Sequence, residues 1–215
     1  ASPAQAVVHG ILELVPRPPD LVVSGINFGA NLGIEVTVSG TVGAALEASA
    51  FGIPALAVSQ EMASIFHLSG DNSMDYTVAA NYARRFADLL LGVPQPYDVD
   101  VLNVNVPASA TAETPWRFTR LSRLRYFTPL APDRHNGGGR TRYRIISDPT
   151  EAELDSDLWA LLVDNVVSVT PLSLNLTSHV NLDVLHRDLT YDLVTSQEAV
   201  ELDLCPLSAP VDTVV

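Results

Sequence analysis

The feature that most constrains this sequence is a strand–loop–helix–strand pattern near its N-terminus. The short β-branched run Asp20–Ser24 is followed by a loop rich in Gly and Asn over residues 25–33. Apolar residues then recur at helical spacing after Ser39 and Thr41, which are candidate N-caps, and Ile53–Ser59 is the next apolar run. Strand, helix and strand in this order predict a right-handed βαβ unit, and hence an α/β fold with a Rossmann-like parallel sheet.

The rest of the chain continues this pattern and then departs from it. Apolar periodicity predicts further helices over 4–15 and 75–91 and strands over 101–106 and 166–176. Arg and aromatic residues surround the turn signal "HNGGG" in between, which indicates a long hairpin. We therefore expect three parts: an N-terminally truncated Rossmann-like core (1–115), an Arg-rich β-hairpin arm (116–146), and a C-terminal extension that closes the core and contributes to oligomerisation (147–215).

Composition excludes several classes of function. The 215 residues are 47% hydrophobic, which is enough for a core, and carry a net charge of −13. Such a field repels nucleic acid and anionic lipid, and no apolar run approaches the length of a membrane span, so we expect neither partner. A single cysteine, Cys205, is typical of a reducing compartment, and we expect a cytoplasmic protein.

The loop between the first two strands is the candidate ligand site. In open parallel sheets, ligands bind beyond the carboxyl ends of the strands, where this loop lies. The amides that open the following helix attract anions, and the carboxamides of Asn27 and Asn31 suit a hard cation and a phosphate oxygen. Neither GxGxxG nor GxxxxGK[ST] is present, and the same glycines could equally serve only to shape a strand-to-helix connection.

These motifs resemble those of the SurE family of nucleotidases. The resemblance rests on "SGINFGANLG", "VSGTVGAALEA" and "GIPALAVS", followed by "LNVNVP" and "VVSVTPLSLNLTSH", in that order along the chain. It covers roughly residues 1–190 and predicts a dimeric or larger homo-oligomer with a metal-dependent phosphohydrolase activity on nucleoside monophosphates, some members also cutting polyphosphate. It implies that Asn27 is a ligand of Mg²⁺ or Mn²⁺, and that the phosphate lies against Asn31, Ser39, Gly40 and Thr41.

One part of the family pattern is absent from the sequence. SurE proteins begin with a strand followed by NDDG, whose two aspartates are metal ligands, and a downstream serine supplies another ligand. Here no adjacent Asp pair occurs, and the opening residues match a helix well inside the family pattern. We expect the acidic pair upstream of Ala1, assign no catalytic residue with certainty, and expect this polypeptide alone to have little or no activity.

Two alternatives remain open at this point. A non-catalytic paralogue would use the glycine loops only to bind nucleotide or to scaffold an oligomer. A serine hydrolase is a weaker rival, because Ser24 and Ser39 lie at turns but neither occurs in GxSxG.

Three acidic residues are expected to form a solvated loop and not a metal cluster: Asp155, Asp157 and Asp164.

Overall fold

The computed structural model describes residues 2–62, 74–131 and 142–199. Its strands are β1 (Val22–Phe28), β2 (Ala55–Gln60), β3 (Val101–Val106), β4 (Trp116–Phe118), β5 (Phe127–Leu130), β6 (Arg142–Ile145) and β7 (Val167–Leu172). Five of them form the central sheet in the order β1-β2-β3-β7-β4, and β5 and β6 form a separate two-stranded sheet.

The central sheet is mostly parallel. β1, β2 and β3 run parallel to one another, as the sequence predicts, whereas β7 is antiparallel to β3 and β4 is parallel to β7. Val22 aligns with Ala55, and Ala55 aligns with Val101, so the first three strands start at the same level. Their carboxyl ends therefore meet at one edge of the sheet.

Helices cover both faces of this sheet. The α-helices are α1 (Pro3–His9), α2 (Gly40–Ala50), α3 (Thr77–Gly92), α4 (Asp157–Leu162) and α5 (Leu182–Ala199). A π-helical segment, Gly10–Leu14, continues α1, and 3₁₀ segments lie at Gly33–Val38 and Pro149–Glu151. The predicted helices over 4–15 and 75–91 are confirmed to within a few residues.

The core is divided by the sheet. On one face, Val42 and Ala45 of α2 share a buried cluster with Ala57. On the other face, Phe86 of α3 shares a cluster with Val58. All six residues of β2 and of β3 are buried, as expected for central strands that are covered on both sides.

β1 is longer than the sequence predicts. The expected strand ended at Ser24, but β1 continues to Phe28 through a register shift between Ser24 and Asn27. Gly25 allows this course, because its φ is +130° and a β-carbon there would lie 2.3 Å from the carbonyl oxygen of Val58. The prediction of a loop over 25–33 is therefore wrong for its first half, since pairing with β2 overrides the Gly and Asn signals.

The predicted arm is also narrower than expected. β4 lies at the start of the range 116–146 but pairs with β7 in the central sheet. Trp116 packs edge-on against Phe86, with ring centroids 5.2 Å apart. Only β5 and β6 form the antiparallel two-stranded sheet, and the turn predicted at 135–139 lies outside the described residues. Apolar packing of Trp116 thus assigns the first strand of this range to the core.

Residue contacts divide the chain into one compact unit over 1–175 and a second over 176–215. The described part of the second unit contains α5, which begins where the side chain of Asn181 accepts a hydrogen bond from the amide of Asp183. Among the described residues, no helix is both long and apolar enough to cross a membrane.

Candidate functional site

Polar side chains lie side by side where the three parallel strands end. In the strand register, Asn27 of β1 aligns with Ser59 of β2, and Ser59 aligns with Asn105 of β3. Ser59 and Asn105 are fully buried, as is Asn103 two residues earlier on the same face of β3. We call Asn27, Asn31, Ser59, Asn103 and Asn105 the carboxamide cluster.

Asn31 is at the centre of this cluster. Its backbone N–H donates to Oδ1 of Asn105 over 2.7 Å, and its carbonyl oxygen accepts from Nδ2 of both Asn103 and Asn105, each at 3.0 Å. Its own side-chain Nδ2 donates to Oγ of Ser59 over 2.7 Å. The loop that leaves β1 is therefore fastened to the ends of β2 and β3 at one residue.

Asn27 lies near the end of β1, where it aligns with Ser59 of β2. Its side-chain Nδ2 donates to the carbonyl oxygen of Gly29 over 2.7 Å, and this bond orients the carboxamide. Within the described part of the chain, no group of three or more His, Cys, Asp or Glu side chains is arranged to hold a metal ion. The described residues thus supply one neutral oxygen ligand, which alone does not fit the mainly anionic shell of a tightly bound Mg²⁺ or Mn²⁺.

The helix α2 begins a few residues after Asn31 and connects β1 to β2, so the βαβ topology directs its N-terminus toward the carboxyl end of β1. Ser39 is the N-cap, because its Oγ accepts from the amide of Val42 over 3.1 Å, as the sequence predicts. The amides of Gly40 and Thr41 belong to the first turn, where helical N–H groups have no intrahelical acceptor. Gly40 also has a packing role, since a β-carbon there would lie 2.9 Å from Cγ of Pro3.

Glu35 and Asp157 connect the segment after β1 to other parts of the chain through hydrogen bonds to backbone amides. We call these two carboxylates the carboxylate anchors. Asp157 is fully buried and accepts from the amides of Gly33 at 2.7 Å, Ser122 at 3.0 Å and Leu158 at 2.9 Å. The expectation of a solvated acidic loop is wrong for this residue, because its carboxylate serves three backbone donors in the core. Asp155 and Asp164 are closer to that expectation: each forms an ion pair with an arginine in a partly or mostly exposed setting.

Glu35 joins the loop to the two-stranded sheet. Its Oε1 accepts from the amide of Phe127 over 2.8 Å, while its Oε2 is buried and has no hydrogen-bond partner among the described residues. Burial raises the pKa of Glu35 and, likewise, the pKa of Asp157, since both lose solvation in their charged forms. Hydrogen bonds from the amide of Phe127 lower the pKa of Glu35, but by less.

The comparisons with known proteins agree with this architecture. The family model described as "Survival protein SurE" matches residues 1–128, which is more than half of the chain. The chain belongs to the SurE family. The resemblance expected from the sequence motifs is thereby confirmed.

Curated SurE relatives extend the match along most of the chain. "5'-nucleotidase SurE" of Thermococcus gammatolerans is 43% identical over 171 residues, which are 79% of this chain and 64% of that protein. "5'-nucleotidase SurE" of Methanocaldococcus jannaschii is 39% identical over 180 residues, covering 82% of this chain and 66% of that protein. The chain thus spans about two thirds of the length of the curated relatives it matches.

A solved SurE structure has the same fold. The crystal structure of the SurE protein from Aquifex aeolicus matches with a TM-score of 0.62 and 32% sequence identity, covering 94% of this chain and 73% of that one. The predicted α/β class with a mainly parallel sheet is confirmed.

Sequence reasoning found the loop but missed most of its supports. Asn103 and Asn105 belong to the strand motif "LNVNVP", whose pattern does not indicate a role at the loop, and no motif points to Ser59 or Glu35. A usable signal was present: two asparagines at alternate positions of an otherwise apolar strand place two buried carboxamides on one face of a sheet. Such groups need partners, and the neighbouring loop is the nearest source of them.

Proposed function

We propose that the SurE-family protein represented by this sequence hydrolyses the phosphomonoester of nucleoside monophosphates with the help of Mg²⁺ or Mn²⁺, and that this chain supplies the phosphate-binding half of its site. The observation that carries the proposal is that Asn31, which follows β1, is hydrogen-bonded to Ser59 and Asn105 where β2 and β3 end. The helix α2 begins a few residues later along the chain, with Ser39 as its N-cap. The names of the curated relatives support the reaction class.

The chemistry of these groups suits a phosphate. The N-terminal amides of Gly40 and Thr41 and the helix dipole favour an anion, and the hydroxyl of Thr41 adds a donor. We assign Asn31, Ser39, Gly40 and Thr41 to the phosphate oxygens. Donors fixed in advance at this position stabilise the charge that develops on the phosphoryl oxygens during attack.

In this proposal, the metal site needs ligands from outside this chain in addition to Asn27. Asn27 has a carbonyl oxygen suited to a hard cation, but the anionic ligands must come from elsewhere, and we expect them upstream of Ala1. A divalent cation bound there would polarise the phosphoryl group and generate the attacking hydroxide. The role of this chain is to bind and orient the phosphate beside it, and we expect the 215-residue chain alone to have little or no activity.

A second candidate is a protein that binds nucleotides without hydrolysing them. It is favoured by the scarcity of anionic ligands in the described residues, where no cluster of acidic or His side chains is arranged for a metal. The serine-hydrolase alternative has less support, because no histidine in the described ranges hydrogen-bonds Ser24 or Ser39, and Oγ of Ser39 caps α2.

We also propose that the protein forms a homodimer or a larger homo-oligomer and acts in the cytoplasm. The support for self-association is the row of exposed apolar side chains on α5, Leu182, Leu185 and Leu189, which follow helical spacing. Sedimentation of the purified protein before and after Leu185→Glu tests this, and we expect the substitution to lower the oligomeric mass.

The activity is tested by measuring phosphate release from a nucleoside monophosphate with Mn²⁺. Two proteins should be compared: the 215-residue chain, and the same chain preceded by its own upstream coding sequence. We expect turnover only from the longer protein, and we expect Asn31→Ala to reduce it. Robust turnover by the 215-residue chain would contradict the division of the site, and no turnover by a longer protein that contains Asn-Asp-Asp-Gly would favour the binding protein.

A further inference from the structure

Asn105 binds both main-chain polar groups of one residue. Its Oδ1 accepts from the amide of Asn31 over 2.7 Å, and its Nδ2 donates to the carbonyl oxygen of the same residue over 3.0 Å. A neighbouring strand would offer the same pair of groups, so the carboxamide of Asn105 takes the place of a strand partner. Asn103 adds a second donor to the same carbonyl oxygen.

Burial of the Asn105 carboxamide costs free energy unless its polar groups are hydrogen-bonded. Asn105 is fully buried in a central strand whose alternate residues, Val104 and Val106, pack in the apolar core. An apolar residue at this position would need no partner, whereas a buried carboxamide must have each of its groups satisfied. Both hydrogen bonds of Asn105 that the structure records go to Asn31, 74 residues away in the sequence.

The consequence for the loop is a fixed side-chain direction at Asn31. With its backbone held from one side by Asn105, Asn31 turns its Nδ2 to Oγ of Ser59 at 2.7 Å. Three hydrogen-bonding side chains on two strands thus determine where one loop residue lies. Groups that are held in place before binding lose less conformational freedom when the ligand arrives.

We propose that Asn105 is a positioning residue for phosphate binding: through the backbone of Asn31, it holds that side chain at the phosphate. The inference rests on the proposed function, because it assumes that Asn31 contacts phosphate. It goes further than the proposed function, because it assigns control of the loop geometry to a residue of β3. The proposed function places no phosphate ligand on that strand.

The test is the affinity of the ¹⁵N-labelled chain for inorganic phosphate, measured by amide chemical-shift titration together with hydrogen exchange at the Asn31 amide. The variants are Asn105→Ala, Asn105→Thr, Asn31→Ala and the double variant Asn31→Ala/Asn105→Ala. Thr170→Val is the matched control: Thr170 is buried on the same face of the sheet and hydrogen-bonds Thr119 over 2.7 Å, and the structure records no hydrogen bond between Thr170 and Asn31. Asn105→Thr provides a β-branched side chain suited to a strand, in case Asn105→Ala does not fold.

We expect Asn105→Ala and Asn105→Thr to weaken phosphate binding about tenfold and to speed exchange of the Asn31 amide, whereas Thr170→Val changes neither. In the Asn31→Ala background, the further loss of Asn105 should weaken binding by less than about twofold, because the side chain that it positions is gone. A purely structural role predicts equal losses in both backgrounds, and that result would overturn the inference. Unchanged affinity in both Asn105 variants would overturn it too, while absence of phosphate binding by the unsubstituted chain would overturn the proposed function and this inference together.

Discussion

The carboxamide cluster and the carboxylate anchors both hold the segment that follows β1, but they use different chemistry. Around Asn31 every polar contact is neutral, and carboxamides and a hydroxyl serve each other as donor and acceptor. Glu35 and Asp157, in contrast, are acids whose oxygens accept from backbone amides. An ionised carboxylate beside Asn31 would repel a phosphate. In the proposed function, the acids of this region therefore stabilise the fold, and the neutral carboxamides bind the ligand.

The largest effect on folding is expected from Asp157→Ala. It leaves three backbone donors, on Gly33, Ser122 and Leu158, without their acceptor in the core, and we expect a loss of about 3 kcal/mol or more in the free energy of unfolding. Urea unfolding followed by circular dichroism measures it. Asp155→Ala is the control, because Asp155 is exposed, and it should cause little change. Equal effects of the two substitutions would mean that Asp157 is not an anchor.

Asn31→Ala should weaken phosphate binding strongly while it lowers the stability of the fold only slightly. The backbone bonds to Asn105 do not depend on the Asn31 side chain, so the expected cost in stability is only about 1 kcal/mol, from the lost bond to Ser59. Phosphate affinity should fall about tenfold if this side chain contacts the anion. Titration calorimetry with phosphate and a thermal melt give the two numbers, and a variant that loses stability but keeps its affinity would assign Asn31 to structure alone.

Substitutions of Ser39 test helix capping and phosphate binding at a single position. Ser39→Ala removes the N-cap of α2 and should cost about 1 kcal/mol in the free energy of unfolding. Ser39→Asp retains a capping oxygen and should preserve stability, but it places a negative charge where we expect the phosphate. We therefore expect Ser39→Asp to fold like the parent chain and to lose phosphate binding, whereas intact binding in this variant would place the anion elsewhere.

The smallest effect is expected from Glu35→Gln, and it depends on pH. Burial raises the pKa of Glu35 above its ordinary value of 4.5, so the folded state binds the proton more tightly than the unfolded state does. The stability that protonation of Glu35 contributes is therefore present below about pH 4.5 and is lost as pH rises through the folded-state pKa. Gln retains an oxygen for the amide of Phe127 and does not ionise, so the variant should become more stable relative to the parent chain as pH rises above about 4.5. Urea unfolding at several pH values measures this difference, and a gain that shrinks with rising pH would contradict the assignment.

The sequence predicted what depends on local pattern. The βαβ unit, the cap at Ser39 and the strand ending in "LNVNVP" follow from apolar spacing and cap chemistry, which involve only near neighbours. The SurE motifs located the loop. The end of β1 was missed because Gly25 and Asn27 are typical of loops, and pairing with β2 decides otherwise.

The supports of the site depend on partners that are far apart in the sequence. Asn105 meets Asn31 across 74 residues, and Asp157 meets Gly33 across 124 residues. No periodicity encodes such pairs, since they arise only when the strands of the sheet are in register. What a sequence can offer is the anomaly of a polar residue within an apolar run, as at Asn103 and Asn105 in β3. Asp157 gives no such signal, because it follows other acidic residues in the sequence.

The most direct test of the central claim is to map phosphate onto the ¹⁵N-labelled chain by amide chemical shifts. If the loop and the start of α2 form one anion site, inorganic phosphate should shift the amides of Asn31, Gly40 and Thr41 together, with a single dissociation constant. Shifts confined to the exposed arginines Arg123 and Arg125, with Asn31 and Thr41 unmoved, would contradict the account.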